Sequence, residues 1–203
     1  LRADDIQSTY KHFKRSLRRG INNCLKKGIV VYQGEEQDKQ DFLNLLSNRE
    51  RYQRMMDIFQ DSNYCFEFYL AKIMPEVYIN NYRYLIKRER LNNELLNQKL
   101  KNPNVKKTKN LLERKMNSDH LLTTYNQELI KGTEVLKKYP QGVIISGVAI
   151  LRSDREVSFI KECYTNEFRQ IRSIPFIKWE IMKKLIVSGY HRFDLGNIVI
   201  AKN

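Results

Sequence analysis

At 203 residues, 41% hydrophobic and 30% charged, the chain is long enough for one domain of ordinary size plus an appendage, and no apolar run approaches the roughly 18–20 residues that cross a bilayer. Cys24, Cys65 and Cys163 form no CxxC pair, and His12, His120 and His191 lie in unrelated contexts, which excludes a disulfide scaffold and the usual zinc spacings. The net charge of +14 is uneven: residues 1–31 hold 8 Lys and Arg against 2 Asp, residues 76–138 hold 14 against 7 acids, and residues 32–75 are net acidic, so the excess sits on two helical segments and points to a polyanionic partner.

Residues 5–27 read as a basic helix or pair of helices, with Tyr10, Phe13, Leu17, Ile21 and Leu25 on one face. Lys26 and Lys27 suit a helix C-terminus, and Gly28 stops it. Residues 28–34 are a short β-branched strand. Residues 35–60 give one or two helices with Phe42, Leu45, Leu46, Met55, Met56 and Phe59 inward. CFEFYLAKI (65–73) alternates as a strand does, and Met74-Pro75 closes it.

From residue 76 the pattern becomes helical with a narrow apolar stripe. The first helix (76–101) is marked by Val77, Tyr78, Tyr82, Leu85, Leu91, Leu95, Leu96 and Leu100. The second (106–138) is marked by Leu111, Leu112, Met116, Leu121, Leu122, Tyr125, Leu129, Ile130 and Leu136. The NPNV turn (102–105) between them predicts an antiparallel helical hairpin, roughly 40 Å long at ~1.5 Å per residue. So narrow a stripe buries little beyond its partner helix, so the hairpin is expected to project as an arm.

After YPQG (139–142), VIISGVAIL (143–151) and EVSFIKECY (156–164) flank a polar turn and form a β-hairpin. Ile174–Ser188 then reads as a helix, with Ile177, Ile181, Leu185 and Ile186 at helical spacing and Gly189 as its stop; Arg192–Ile198 reads as a buried strand. The whole is an α/β chain with a helical arm inserted between two strands of one sheet. A chain that starts without Met and stops just after such a helix–strand unit is expected to be a piece of a longer protein.

There is no GxSxG, Walker loop or dinucleotide fingerprint. An acyl-CoA-dependent N-acetyltransferase is one reading of the strand–helix–strand order. It needs a Gly-rich turn whose backbone N–H groups approach a pyrophosphate at the helix N-terminus. The junction here, NEFRQIRSIP, has no Gly; it offers Arg169 and Arg172 instead. A third reading is a non-catalytic nucleic-acid or membrane adaptor.

Four stretches in this order, FKRSLRRGINNCLKKGIVV, DFLNLLSNRERYQRM, VIISGVAILRSDREVSFIKECYTNEFRQI and IKWEIMKKLIVSGYHRFDLGNI, resemble the C-terminal half of the Fem family of aminoacyltransferases, which build peptidoglycan interpeptide bridges. The resemblance implies an acetyltransferase-like (GNAT-type) mixed sheet, incomplete in this chain, with an inserted antiparallel coiled-coil arm. It implies a basic linking helix at 1–27, a partial GNAT-like subdomain at 28–75 and 139–203, and the arm at 76–138. The implied reaction is attack by a stem-peptide amine of a cell-wall precursor on the ester of an aminoacyl-tRNA, with no metal, CoA or nucleotide cofactor, in the cytoplasm or at the inner face of the membrane.

By the same resemblance Arg169, with Arg172 beside it, is expected to hold the precursor's pyrophosphate. Lys87, Arg88, Arg90, Lys99, Lys101, Lys106, Lys107 and Lys109 are expected to cluster toward the arm's tip as tRNA contacts, or the arm to mediate dimerisation. Lys14, Arg15, Arg18 and Arg19 are expected to meet tRNA or an anionic inner leaflet. Pro175-Phe176 breaks a family pattern that often has Tyr there. Trp179 is expected to pack, and Asp194 and Gly196 match a strand motif in which Asn197 replaces a common Gly. Lys202 does not stand in a Phe-Lys-x-Gly motif, where the family places its reactive Lys. The catalytic residues are therefore expected outside this chain, and the chain alone to be inactive.

Overall fold

β-Branched and aromatic runs place five strands in one mixed sheet: β1 (Ile29–Gln33), β2 (Cys65–Ile73), β3 (Val143–Arg152), β4 (Val157–Tyr164) and β5 (Phe193–Asp194). The computed structural model describes residues 2–3, 5–46, 49–50, 53–54, 65–102 and 108–195. Met55, Met56, Phe59, Lys106, Lys107, most of the NPNV turn, Gly196, Asn197 and Lys202 lie outside the described residues. The strands follow chain order across the sheet; neighbours are antiparallel except β4 and β5, which are parallel. A parallel pair needs a crossover, and the helix Ile174–Val187 supplies it.

By contact the chain divides into two compact units, one of Leu1–Leu25, Ile29–Ile73 and Val143–Asn203, the other of Lys26–Gly28 and Met74–Gly142. In the first, residues 5–27 resolve as a pair, α1 (Ile6–His12) and α2 (Arg15–Lys26). Asp5 caps α1 by accepting from the Ser8 N–H at 2.8 Å. The break at Phe13, which has extended backbone, brings its ring within 5.1 Å of Trp179.

The short helix α3 (Lys39–Asn44) packs Phe42, Leu43 and Leu46 against Phe68, Leu70, Ala149 and Cys163. Tyr69, the neighbour of Phe68 and Leu70, instead lies under Lys184 of the crossover helix. Strand side chains alternate, so α3 and the crossover helix cover opposite faces of the sheet. The expected strand Arg192–Ile198 appears, among the described residues, as Phe193–Asp194, with Phe193 buried. Arg192 pairs instead with Arg2, and the Ala3 N–H donates to the His191 carbonyl at 2.9 Å.

The second unit is a helical hairpin of α4 (Pro75–Lys101) and α5 (Lys109–Lys138). Its seam differs from the stripe expected from hydrophobicity. Val77, Leu91, Leu95, Leu112, Met116, Leu121 and Ile130 are exposed. Tyr78, Tyr82, Leu96 and Leu111 of the expected stripe are buried; the seam is completed by Ile79, Ile86, Glu89 and Asn93, so that positions 79, 82, 86, 89, 93 and 96 run at alternating spacings of three and four, with Leu111, Ser118 and Gly132 opposite. The polar seam residues satisfy one another: Ser118 donates to Glu89 Oε1 at 2.5 Å, and Asn93 donates to Ser118 Oγ at 3.1 Å and to Asp119 Oδ1 at 2.8 Å. A polar layer of this kind lowers stability but specifies register, because any slip strands these groups in an apolar seam. Ser118→Ala is expected to cost about 1–3 kcal/mol, the cost of leaving a buried polar group unmatched. Urea unfolding of the chain reads it, and an unchanged midpoint would show that the layer carries no such load.

Candidate functional site

The junction between β4 and α6 (Ile174–Val187) is built around one 3-10 stretch, Asn166–Ile171. Phe168 and Ile171 are buried and pin it down, while Arg169 and Arg172 point to solvent. Arg172 has φ of 55°, a left-handed conformation that glycine adopts freely and other residues rarely do. Its N–H donates to the Arg169 carbonyl at 3.2 Å, closing the turn. Arg169 stacks its guanidinium 5.2 Å from the Tyr164 ring centroid. Among the described residues neither arginine forms an ion pair, so both cations of this turn are open to an anion. Ser173, the residue before α6, does not cap the helix; its hydroxyl shares a 2.6 Å hydrogen bond with Ser146 of β3.

At the other end of β4 the parallel strands pair over Val157↔Phe193 and Ser158↔Asp194. Further along, Lys178 of α6 spans the two: its amine pairs with Glu162 of β4 at 2.5 Å and donates to the Leu195 carbonyl at 2.6 Å, above the Phe159 ring. Next to Lys178 opens a cleft of about 360 Å³ with walls of Phe13, Leu17, Ile174, Pro175, Trp179 and Met182, and Leu195 at its end. Trp179 is buried between the rings of Tyr10 and Phe13, as its packing role required. Phe176 is buried, and Asp194 is exposed on β5. Among the described residues no group of three His, Cys, Asp or Glu stands where it could hold a metal ion.

On α2 and the residue before it, Lys14, Arg15 and Arg19 are exposed and Arg18 is half-buried; among the described residues none of the four is ion-paired. In the hairpin, Lys87, Arg88 and Arg90 lie in the middle of α4, a correction to their expected place toward the tip: Lys101, the end of α4, is fourteen residues past Lys87, about 21 Å at ~1.5 Å per residue. Lys87 and Arg90 share a groove of about 450 Å³ with Arg83, Leu91, Asn126 and Leu129, and Arg88 does not line it. Arg83 was missed, although its i, i+4, i+7 relation to Lys87 and Arg90 was present in the sequence. Lys109 at the start of α5 stands 4.0 Å from Glu113.

The sequence reading also missed a buried network. Glu67, the third residue of β2, accepts from Tyr69 Oη at 2.7 Å and from Arg152 Nε at 2.8 Å, and Arg152 donates to Tyr190 Oη at 3.3 Å. A carboxylate at i, i+2 from a Tyr inside an otherwise apolar strand is the signal that was available. The network ties β2 and β3 to the turn after α6. Cys163 is not a nucleophile candidate: burial pushes its thiol up to about 12.

The FemAB family model matches residues 1–199. The lipid II:glycine glycyltransferase of Staphylococcus haemolyticus (strain JCSC1435) is 21% identical over 201 residues, which cover 94% of this chain and 47% of that protein. The crystal structure of FemX superposes with a TM-score of 0.73 at 16% identity, over 98% of this chain and 52% of the FemX chain. The chain therefore spans about half the length of these two relatives.

Proposed function

Because the chain belongs to the FemAB family, whose model matches residues 1–199, we propose that it is part of an aminoacyltransferase that extends the stem peptide of a peptidoglycan precursor, drawing the amino acid from an aminoacyl-tRNA. The family match, together with a relative named as a lipid II:glycine glycyltransferase, carries this reading. In the reaction a stem-peptide amine attacks the aminoacyl ester carbonyl. A C–N bond forms, the ester C–O bond breaks, and the amine proton leaves as the ribose hydroxyl of the tRNA is released with a proton. The ester already holds the free energy, so the protein must mainly orient the two substrates and steady an oxyanion. The strand order and the β4–α6–β5 crossover support an acetyltransferase-like sheet, and the Gly-free junction disfavours CoA as the donor.

In this reading Arg169 and Arg172 grip the precursor's pyrophosphate. Arg169 is pre-oriented by Tyr164 and neither arginine must leave a carboxylate to bind. The cations of α4 contact tRNA phosphates, and those of α2 meet tRNA or an anionic leaflet. The test is transfer of labelled amino acid from a charged tRNA pool to lipid-linked precursor by the protein that carries this chain. Arg169→Ala is expected to raise KM for the precursor roughly 10- to 100-fold, matching about 1.5–3 kcal/mol for a charged hydrogen bond, with kcat little changed. An unchanged KM removes Arg169 from the site. Arg83→Gln with Lys87→Gln and Arg90→Gln is expected to weaken tRNA binding and make its salt dependence shallower; unchanged tRNA affinity assigns the hairpin to protein contacts instead.

A further inference from the structure

α4 carries two apolar rows on opposite sides, and α5 covers one of them as the hairpin seam. The other row is Val77, Tyr84, Leu91 and Leu95, all four exposed. At about 100° per residue they lie within about 40° of one another and about 165° from the middle of the covered row. Spacings of seven, seven and four residues are those of a second coiled-coil seam. From Val77 to Leu95 the row runs about 27 Å at ~1.5 Å per residue. Leu91 alone of the four also lines the cationic groove. The acyl-transfer reading gives this row no role.

Charge decides what covers it. Arg88 falls beside the row between Tyr84 and Leu91, with Lys99 on the same side; Lys87 lies on the other, about 40° beyond Leu91. All three are exposed, and among the described residues none is ion-paired. The nearest acids of α4, Glu76 and Glu94, stand about 20° further round than Lys87. A second copy of α4 would set Lys87 and Arg88, at the middle of the row, against their own counterparts, and like charges repel. Nucleic acid would take the cations and leave three aliphatic side chains in water. A bilayer surface favours a broad apolar face, and this row is one side chain wide. A helix with leucines at heptad spacing and carboxylates beside them covers the row and meets the cations. We propose that the outer face of α4 is a docking surface for an acidic amphipathic helix of another protein, with a carboxylate of that helix on Arg88. This goes beyond the acyl-transfer reading and uses neither of its substrates.

The probe is a labelled peptide of about three heptads, with Leu at a and d and Glu at e and g, the positions that set partner choice. Its control carries Lys at e and g. Fluorescence anisotropy with the protein that carries this chain is expected to show the Glu peptide binding roughly tenfold or more tighter than the Lys peptide. Tyr84→Gln with Leu95→Gln is expected to weaken the Glu peptide roughly tenfold or more, because two large side chains no longer become buried on docking. Both positions are exposed, so the urea midpoint of this variant is expected to stay in place, as is its tRNA affinity. Arg88→Glu with Lys99→Glu is expected to reverse the preference between the two peptides. No binding of the Glu peptide, equal binding of both peptides, or binding that the Tyr84 and Leu95 substitutions leave unchanged would overturn the proposal. A concentration-dependent dimer that those substitutions dissolve would overturn it in favour of a second copy. A loss of affinity for tRNA or for phosphatidylglycerol vesicles in the same variant would overturn it in favour of nucleic acid or a membrane.

Discussion

Glu128→Ala is expected to destabilise the hairpin unit by about 3–5 kcal/mol, the range for removing one partner of a buried ion pair. Glu128 on α5 is paired with Lys27, and the two side chains are 15% and 12% exposed. Tyr78 donates to the same carboxylate oxygen at 2.7 Å, Lys27 donates to Tyr78 Oη at 2.9 Å, and Lys131 donates to the other oxygen at 2.9 Å. Truncation leaves the Lys27 ammonium and the Tyr78 hydroxyl without their acceptor in a largely buried site. Replacing both charges, Lys27→Met with Glu128→Leu, is expected to restore most of the loss, since the pair's desolvation cost goes with it. Urea unfolding at neutral pH reads both variants. A loss under about 1 kcal/mol for Glu128→Ala would show that the ammonium escapes to water.

The same group sets an acid limit. Burial alone would raise the Glu128 carboxyl, but hydrogen bonds from Lys27, Tyr78 and Lys131 outweigh it and hold the group down at about 2. A carboxylate depressed in the folded state contributes stability that is complete above its ordinary range, near 4.5, and is lost as the pH falls from there toward 2. Glu128→Gln is expected to flatten the stability profile in that window. An unaltered acid limb would assign acid unfolding to other carboxylates.

Phe42→Ala is expected to cost about 3–5 kcal/mol, because its ring is fully buried and held from several sides. It lies 5.0 Å from the Phe68 ring and fills the notch left by Gly147 on β3. A Cβ at Gly147 would come 2.9 Å from Phe42 Cδ2 and 3.2 Å from Cys163 Sγ. Gly147→Ala is therefore overpacked, at about 1–3 kcal/mol. The combination with Phe42→Leu is expected to fall short of the sum, since both act on one space. Thermal unfolding of the four proteins forms the cycle, and strict additivity would mean that the ring and the glycine do not share the notch.

Where periodicity reports local geometry, the sequence reading and the structure agree. The strands at 29–33, 65–73, 143–152 and 157–164 are legible because alternation and β-branching express the strand's own pleat. The two long helices and the helix from Ile174 are legible because Pro75, Pro175 and Gly189 punctuate them locally. The hairpin seam was legible only in part: Tyr78, Tyr82, Leu96 and Leu111 were marked and are buried. Hydrophobicity marked Leu91, Leu95, Met116 and Ile130, which are exposed, while Glu89, Asn93 and Ser118 are inside. A polar side chain is buried only when a partner on another helix satisfies it, and that partner is not written in its own neighbourhood.

The candidate site divides in the same way. Arg169 and Arg172 were legible as the cations of a Gly-free junction. Their freedom from ion pairs among the described residues and the Tyr164 stack are tertiary facts, because they depend on what the fold brings near. Gly28 shows both levels in one residue. By itself the sequence determined that a helix stops there. Only the folded chain decided that nothing larger fits, since a Cβ would lie 2.6 Å from the Tyr78 nitrogen and 2.8 Å from the Met74 oxygen. Local pattern determines where elements begin and end, through the rotational freedom of each residue. Which polar groups are paired, which cations stay open and which walls form a cleft are settled by contacts distant in sequence, where one element supplies the partner that another lacks.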